Sequence, residues 1–441
     1  MKSKLFYILL SVSMLASLLN GCGSSSTSTS IDKNAITETK ENSETSIETK
    51  ETTLTLWSIA TESDSFNHAY VQAIEDFQTA NPGVTIKMET YENQSYKTKI
   101  KSAVAANELP DIFYTWGGGF SKSFIESGKV LPLDDYFTEE YKKQLPQAAL
   151  TYATYDGKLY GTTFTTPISV LFYNKKLFQE NQIEVPETFD NLIDVCATFR
   201  GKGITPIGIS AKDTWVLAMT HDALTLKYTG PDKLVNALTK NGQSYDDPDF
   251  LNSATAFSQL VEMGAFSEGA AGLSNDEATA MFYGEKVAMF ISGSFLAGSI
   301  QENADHPENF DAVPVPICSD NAKITDFMGG AVDTLMVNAQ SQNKDLAAKA
   351  AFELARSISK YAYLDGTGVA AWEKDYDDSN VSDLSKKIAD YAANATSFTI
   401  WFDTLMDADD AGEYLSLLQQ LYSADISPND FTKAMANQLG N

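Results

Sequence analysis

An α/β fold in more than one domain is what this chain predicts, on three observations. Segments with strand-like alternation take turns with segments of helical period. Asn, Pro and Gly clusters punctuate them, as in Asn81-Pro82-Gly83. The ordered part, from about Leu54 to Asn441, is too long for one typical core and suggests two domains.

The elements follow in order. Leu54-Thr55-Leu56-Trp57 alternates as a short strand. Phe66, Tyr70, Ile74 and Phe77 recur at helical spacing until Asn81-Pro82-Gly83 stops the helix. Val84, Ile86 and Met88 make a second strand, and a helix runs from about Ser95 to Ala106. Leu109 to Trp116 is an apolar strand ending in three glycines, and a helix resumes at Ser121. Val170 to Tyr173 is a strand; Asn174 to Gln179 starts a helix, and Thr188 caps another. Strands are expected at 204–209, 287–291 and 331–337, with helices at 249–263, 275–283 and 344–357. The end, from Ile400, reads as helical and acidic. Such alternation predicts βαβ units and a largely parallel sheet.

The first fifty residues say where the protein works. Lys2 and Lys4 precede an apolar stretch from Leu5 to Leu19, then Leu19-Asn20-Gly21-Cys22. This is the layout of a secretory signal over 1–21, and its apolar part is too short for a permanent membrane span. Cys22 resembles the acylated cysteine of the bacterial lipoprotein motif, although Asn20 is unusual there. Residues 23–51 hold 13 Ser or Thr in 29 positions and no aromatic. Residues 22–53 are therefore expected to be a lipidated Cys22 with a disordered leash of roughly 30 Å reach. That places the body on the extracellular face of a cell membrane, and hints at a Gram-positive source.

The net charge is −27. Such a surface suits neither nucleic acid nor anionic lipid, so membrane attachment falls to the anchor. Cys196 and Cys318 could pair, but read more simply as small hydrophobes, since a body of this size needs no staple.

Taken together, the motifs resemble a known family. Leu54-Thr55-Leu56-Trp57, the helix ending Phe77 to Val84, and Leu109-Pro110-Asp111-Ile112-Phe113 are similar to the opening of family 1 extracellular solute-binding proteins, the sugar-binding components of ABC importers. Asp156 to Gly161, Leu171 to Phe178, Phe282 to Met289 followed by Gly293-Ser294, Gly329-Gly330, and Ala339 to Asn343 continue the likeness along the body. The resemblance implies a two-lobed periplasmic-binding-protein-like fold with a hinge and a ligand cleft between the lobes. The first lobe would take 54–163 plus about 326–375, and the second 164–325 plus about 376–441. It implies binding of an oligosaccharide and its delivery to ABC permease subunits, by a monomer with no cofactor, no metal and no catalysis. The segment Thr115 to Gly119 resembles the multiple-sugar, raffinose and xylo-oligosaccharide branches.

Sugars present hydroxyl edges and flat apolar faces, so their site needs aromatic platforms and polar side chains. Trp57 and Trp116 sit where first-lobe strands give way to loops, the usual ligand end of such strands. Gly117 would let backbone approach the ligand. Thr165 and Thr166, in a Phe164-to-Pro167 hinge and cleft floor, could donate to sugar oxygens; Thr in a strand is also ordinary. By the resemblance, Asp213 with Trp215, Ser294 with Phe295, and Trp401 with Asp403 would be second-lobe contributions. Trp372 reads as packing, and Gly329-Gly330 as a backbone requirement at a hinge crossing.

Two other classes compete. A lipid-anchored glycoside hydrolase would need two suitably spaced carboxylates, and 59 acidic residues make chance pairs common. No nucleophile elbow, phosphate loop or zinc helix is present. Asp407, Asp409 and Gly412 superficially match a calcium loop, but Ala411 and Leu418 stand where oxygen ligands are required. A surface receptor or adhesin without transport is the other.

Overall fold

The computed structural model describes residues 51–440. Cys22, the apolar segment before it and the Ser/Thr-rich stretch through residue 50 lie outside the described residues. The described residues form one compact unit. Within it, two sheets organise two α/β lobes.

The first sheet contains β1 (Thr52–Ser58), β2 (Val84–Thr90), β3 (Ile112–Trp116), β6 (Gly161–Thr163) and β12 (Asp333–Val337), in the order β2-β1-β3-β12-β6. β4 (Thr154–Tyr155) and β5 (Lys158–Leu159) make a small hairpin beside it. β1 begins at Thr52, inside the stretch expected to be leash, because Thr52 and Thr53 pair with Val84 and Thr85. The helices Asn67–Ala80 and Lys344–Leu364 pack on each other, although nearly 300 residues apart in the chain.

The second sheet has the order β10-β7-β9-β8, from β7 (Ser169–Asn174), β8 (Thr205–Gly208), β9 (Val287–Gly293) and β10 (Phe310–Val313). β7 and β9 are buried along their whole length. A third pair, β11 (Asp326–Met328) with β13 (Ser397–Thr399), runs parallel.

The expectation of largely parallel sheets is corrected. β1 pairs parallel with β2 and β3, but β12 runs antiparallel to both β3 and β6. In the second sheet only β8–β9 is parallel. The reason is topological. β12 enters the first sheet against the direction of its βαβ series, while β6, antiparallel to β12, runs with that series at the sheet edge.

The crossings are close-packed. Ile168 bridges to Gly329, and Thr165 to Ala370. Gly329 and Gly330 have φ of 131° and 130°, and a Cβ on Gly329 would lie 2.1 Å from the Pro167 carbonyl oxygen. The glycine pair is thus a backbone requirement where two crossing strands touch.

The helix Thr214–Thr229 is buried over nearly its whole circumference. It packs against the helices Pro248–Glu262 and Ala408–Tyr422 and carries no amphipathic stripe to read. Cys196 and Cys318 are free thiols. Among the described residues, no helix is long and apolar enough to cross a membrane.

Candidate functional site

A cleft of about 1070 Å³ opens at the ends of the first-sheet strands and is closed on its other side by second-lobe helices. Its first wall follows from strand direction. β3 runs toward the cleft and ends at Trp116; β12 starts there, so Asp333 lies opposite Trp116 in register. The loop after β1 adds Asp64 and Phe66, and Tyr70 follows in the next helix. The helix Asn93–Ala106 is capped by Glu92, whose carboxylate accepts from the Gln94 and Ser95 N–H groups at 3.0 and 3.1 Å. That cap directs the helix so that Lys97, one turn in, reaches the cleft.

The second wall comes from helix heads. Asp213 precedes the helix Thr214–Thr229 and accepts from the Asn275 N–H at 2.6 Å, joining it to the head of the helix Asn275–Tyr283. Trp215 and Phe295 lie 6.4 Å apart between ring centroids, tilted by 60°, and both are half-buried. The segment 401–404 forms the floor. The Trp401 indole donates to Ser169 Oγ at 3.1 Å, and the Asp403 carboxylate pairs with Lys97 at 2.8 Å.

Acidic groups dominate the electrostatics. Among the described residues, Asp64, Glu92, Asp213, Asp222, Asp276, Asp305, Asp333 and Asp403 line the cleft, against Lys97 and Lys212. Burial pushes the Asp333 carboxyl up to about 6, although the Tyr114 hydroxyl donates to it at 2.6 Å. Burial likewise pushes Asp64 up to about 6, with the Phe66 N–H at 2.9 Å opposing and the Asp333 charge adding. Behind the floor, burial holds Asp222 well above the usual carboxylate range, while Tyr414 and the Phe402 N–H donate to it. Burial keeps neighbouring His221 neutral, down to about 3.

Of the residues singled out from sequence, Trp116, Asp213, Trp215, Phe295, Trp401 and Asp403 line this one cleft. The others do not, and each has a physical reason. Trp57 packs edge-on against Tyr91 at 5.8 Å, under the Lys99 ammonium at 4.0 Å. Gly117 faces Tyr152, whose carbonyl oxygen would meet an added Cβ at 2.4 Å. Thr165 donates its hydroxyl to the Val369 carbonyl at 2.9 Å, and the Thr166 N–H donates to the same oxygen at 2.8 Å. Ser294 exchanges its polar groups with the Ile168 backbone. In the Phe164-to-Pro167 segment, Phe164 and Pro167 line the cleft rather than the threonines.

Trp116 is only 7% exposed. Tyr114 and Phe120 pack edge-on against it at 4.9 and 5.0 Å, and the Lys97 ammonium sits 5.1 Å from its centroid. Asp64, Lys97, Tyr114 and Asp333 escaped the reading of the sequence. Nothing local sets one Asp apart among many; their signal is convergence in space. Among the described residues, no group of three or more His, Cys, Asp or Glu is placed to hold a metal.

The sequence profile of the family described as bacterial extracellular solute-binding protein matches residues 61–359. An uncharacterised ABC transporter extracellular-binding protein of Pyrococcus horikoshii is 23% identical over 301 residues, 66% of this chain and 65% of that protein. The match thus spans just under two thirds of that relative's length. A multiple sugar-binding protein of Streptococcus mutans is 24% identical over 313 residues, 67% of this chain and 70% of that protein. A solved structure from work on xylan utilization by Caldanaerobius polysaccharolyticus superposes with a TM-score of 0.84 at 38% identity, covering 87% of this chain and 99% of that one. A chitin oligosaccharide binding protein superposes with a TM-score of 0.80 at 23% identity, covering 88% and 98%.

Proposed function

The chain belongs to the bacterial extracellular solute-binding protein family, and on that premise we propose that it captures an oligosaccharide in this cleft and hands it to an ABC-type import permease. The observation that carries the reading is the cleft's composition. Half-buried aromatic faces on one lobe, Trp215 and Phe295, share one cavity with acceptor carboxylates on the other, Asp64 and Asp333. Flat faces stack on sugar rings, and carboxylates accept hydroxyl hydrogen bonds. A volume of about 1070 Å³ is at the upper end for a small-molecule site and suits several sugar units better than one. Bringing the lobes together would be favoured by a ligand that touches both. Cys22, if acylated, would tether the body beside the permease.

The hydrolase alternative draws on Asp64 and Asp333, two carboxyls shifted upward in a cleft. A glycosidase needs one carboxyl held protonated as acid while the other stays ionised, and product analysis with the same sugars separates the two readings.

A thermal-shift screen of the chain freed of its first 48 residues tests the proposal. The ligands are mono- to pentasaccharides of the malto-, raffinose, xylo-, arabino-, cello- and galacto-series, with amino acids as controls. A ligand at a hundred times its Kd adds about 2.7 kcal/mol of stability. The expected result is a shift with one oligosaccharide series and no new product by chromatography. Cleaved sugar would mean a hydrolase. Silence with every sugar would refute sugar binding.

A further inference from the structure

We propose that the cleft sorts oligosaccharides by charge, admitting uncharged chains and rejecting chains that carry carboxylate groups, such as those bearing uronic acids. The inference rests on the sugar-binding reading and deepens it by naming the excluded class.

The charges come from every element around the cavity. The first lobe contributes Asp64 from the loop after β1, Glu92 from the helix cap and Asp333 from β12. The second wall contributes Asp213, Asp276 and Asp305; at the floor Asp403 is paired with Lys97, and Asp222, whose carboxyl burial holds well above the usual range, is not counted among the charges. Among the described residues, the cations lining the cavity are Lys97 and Lys212, and no arginine lines it. Lys97 is already committed: its ammonium pairs with Asp403 at 2.8 Å, with both side chains at least 85% buried. Lys212 is exposed at the rim. A ligand carboxylate would therefore find no free buried cation and no guanidinium fork to replace its lost water.

It would meet repulsion instead. Asp333 and Asp64 each have one carboxylate oxygen engaged, with Tyr114 and with the Phe66 N–H. At pH 7.5, where both are ionised, their other oxygens accept hydroxyl hydrogen bonds and repel another anion. Two like charges 4 Å apart in a partly buried site weaken binding by more than about 100-fold. The protein's net charge of −27 repels anionic ligands before they arrive.

Isothermal titration on the chain freed of its first 48 residues tests this. The neutral xylo-, cello-, malto-, galacto- and raffinose-series are titrated first. Each chain that binds is compared with the same chain carrying one uronic acid, and with the methyl ester of that acid, which has nearly the same shape and no charge. The expected result is a loss of at least about 100-fold for the acid, with the ester within about tenfold of the neutral chain. If acid and ester are equally weak, shape and not charge excludes them, and the proposal fails. If the acid binds as well as the neutral chain, the proposal fails while oligosaccharide binding stands. If no neutral or acidic chain binds, the sugar-binding reading falls and the inference falls with it.

Discussion

Replacing Asp333 by Asn should stabilise the protein at pH 7.5 and leave its stability unchanged near pH 4. The Asp333 carboxyl is pushed by burial from 3.8 up to about 6. Its proton is therefore held more tightly in the folded than in the unfolded chain. With that sign, the group's contribution to stability is fully present below about pH 3.8 and is lost as pH rises through about 6. At pH 7.5 the folded protein carries a buried negative charge, beside Asp64, that the unfolded chain would leave in water. The rise from 3.8 to about 6 corresponds to at most about 3 kcal/mol. Asn removes the charge, keeps an oxygen to accept from the Tyr114 hydroxyl, and has nearly the same volume. For a body of roughly 390 residues, at about 2 cal/mol/K of unfolding entropy per residue, 3 kcal/mol is an upper limit of about 4 °C. The assay is the melting temperature of both proteins by circular dichroism from pH 4 to pH 8. The gap should open between pH 4 and pH 7. A gap that does not change with pH, or an Asn variant that melts lower at pH 7.5, would refute the reasoning.

Other substitutions probe the remaining parts. Trp215→Ala should weaken sugar binding by about 1–3 kcal/mol and shift the melting temperature little, because its ring is half-exposed to the cleft; Trp116→Ala, wedged between Tyr114 and Phe120, should instead cost about 3–5 kcal/mol of stability by calorimetry. Lys97→Met should destabilise by about 3 kcal/mol, since it strands Asp403 as a buried unpaired charge, and adding Asp403→Asn should recover most of the loss in a double-mutant cycle. Lys227 donates to the carbonyls of Lys323, Ile324 and Asp326 at 2.9, 3.0 and 2.6 Å, so Lys227→Met should cost more than about 3 kcal/mol and raise amide exchange around residues 323–328.

The sequence by itself determined the order and kind of most elements. The helix Asn275–Tyr283 has the bounds expected of it, and in the structure Ser274 and Glu277 form a capping box at its head while Gly284 follows its end. The strands at 52–58, 84–90 and 287–293 were legible from apolar patterning within a few residues, and the family likeness pointed to a two-lobed fold with a cleft. These signals are local: a cap, a period or a turn involves residues a few positions apart. The tertiary structure decided three further things. It made the sheets mixed, since strand direction depends on where a crossing segment enters. It separated the aromatic candidates, sending Trp57 beneath Lys99 while leaving Trp215 and Phe295 half-exposed in the cleft. It also assembled the acidic cleft, joining Tyr114 to Asp333 across 219 positions and Lys97 to Asp403 across 306. No window of sequence spans such distances, and a carboxylate's neighbours, not its type, set its burial, its proton affinity and its chemistry.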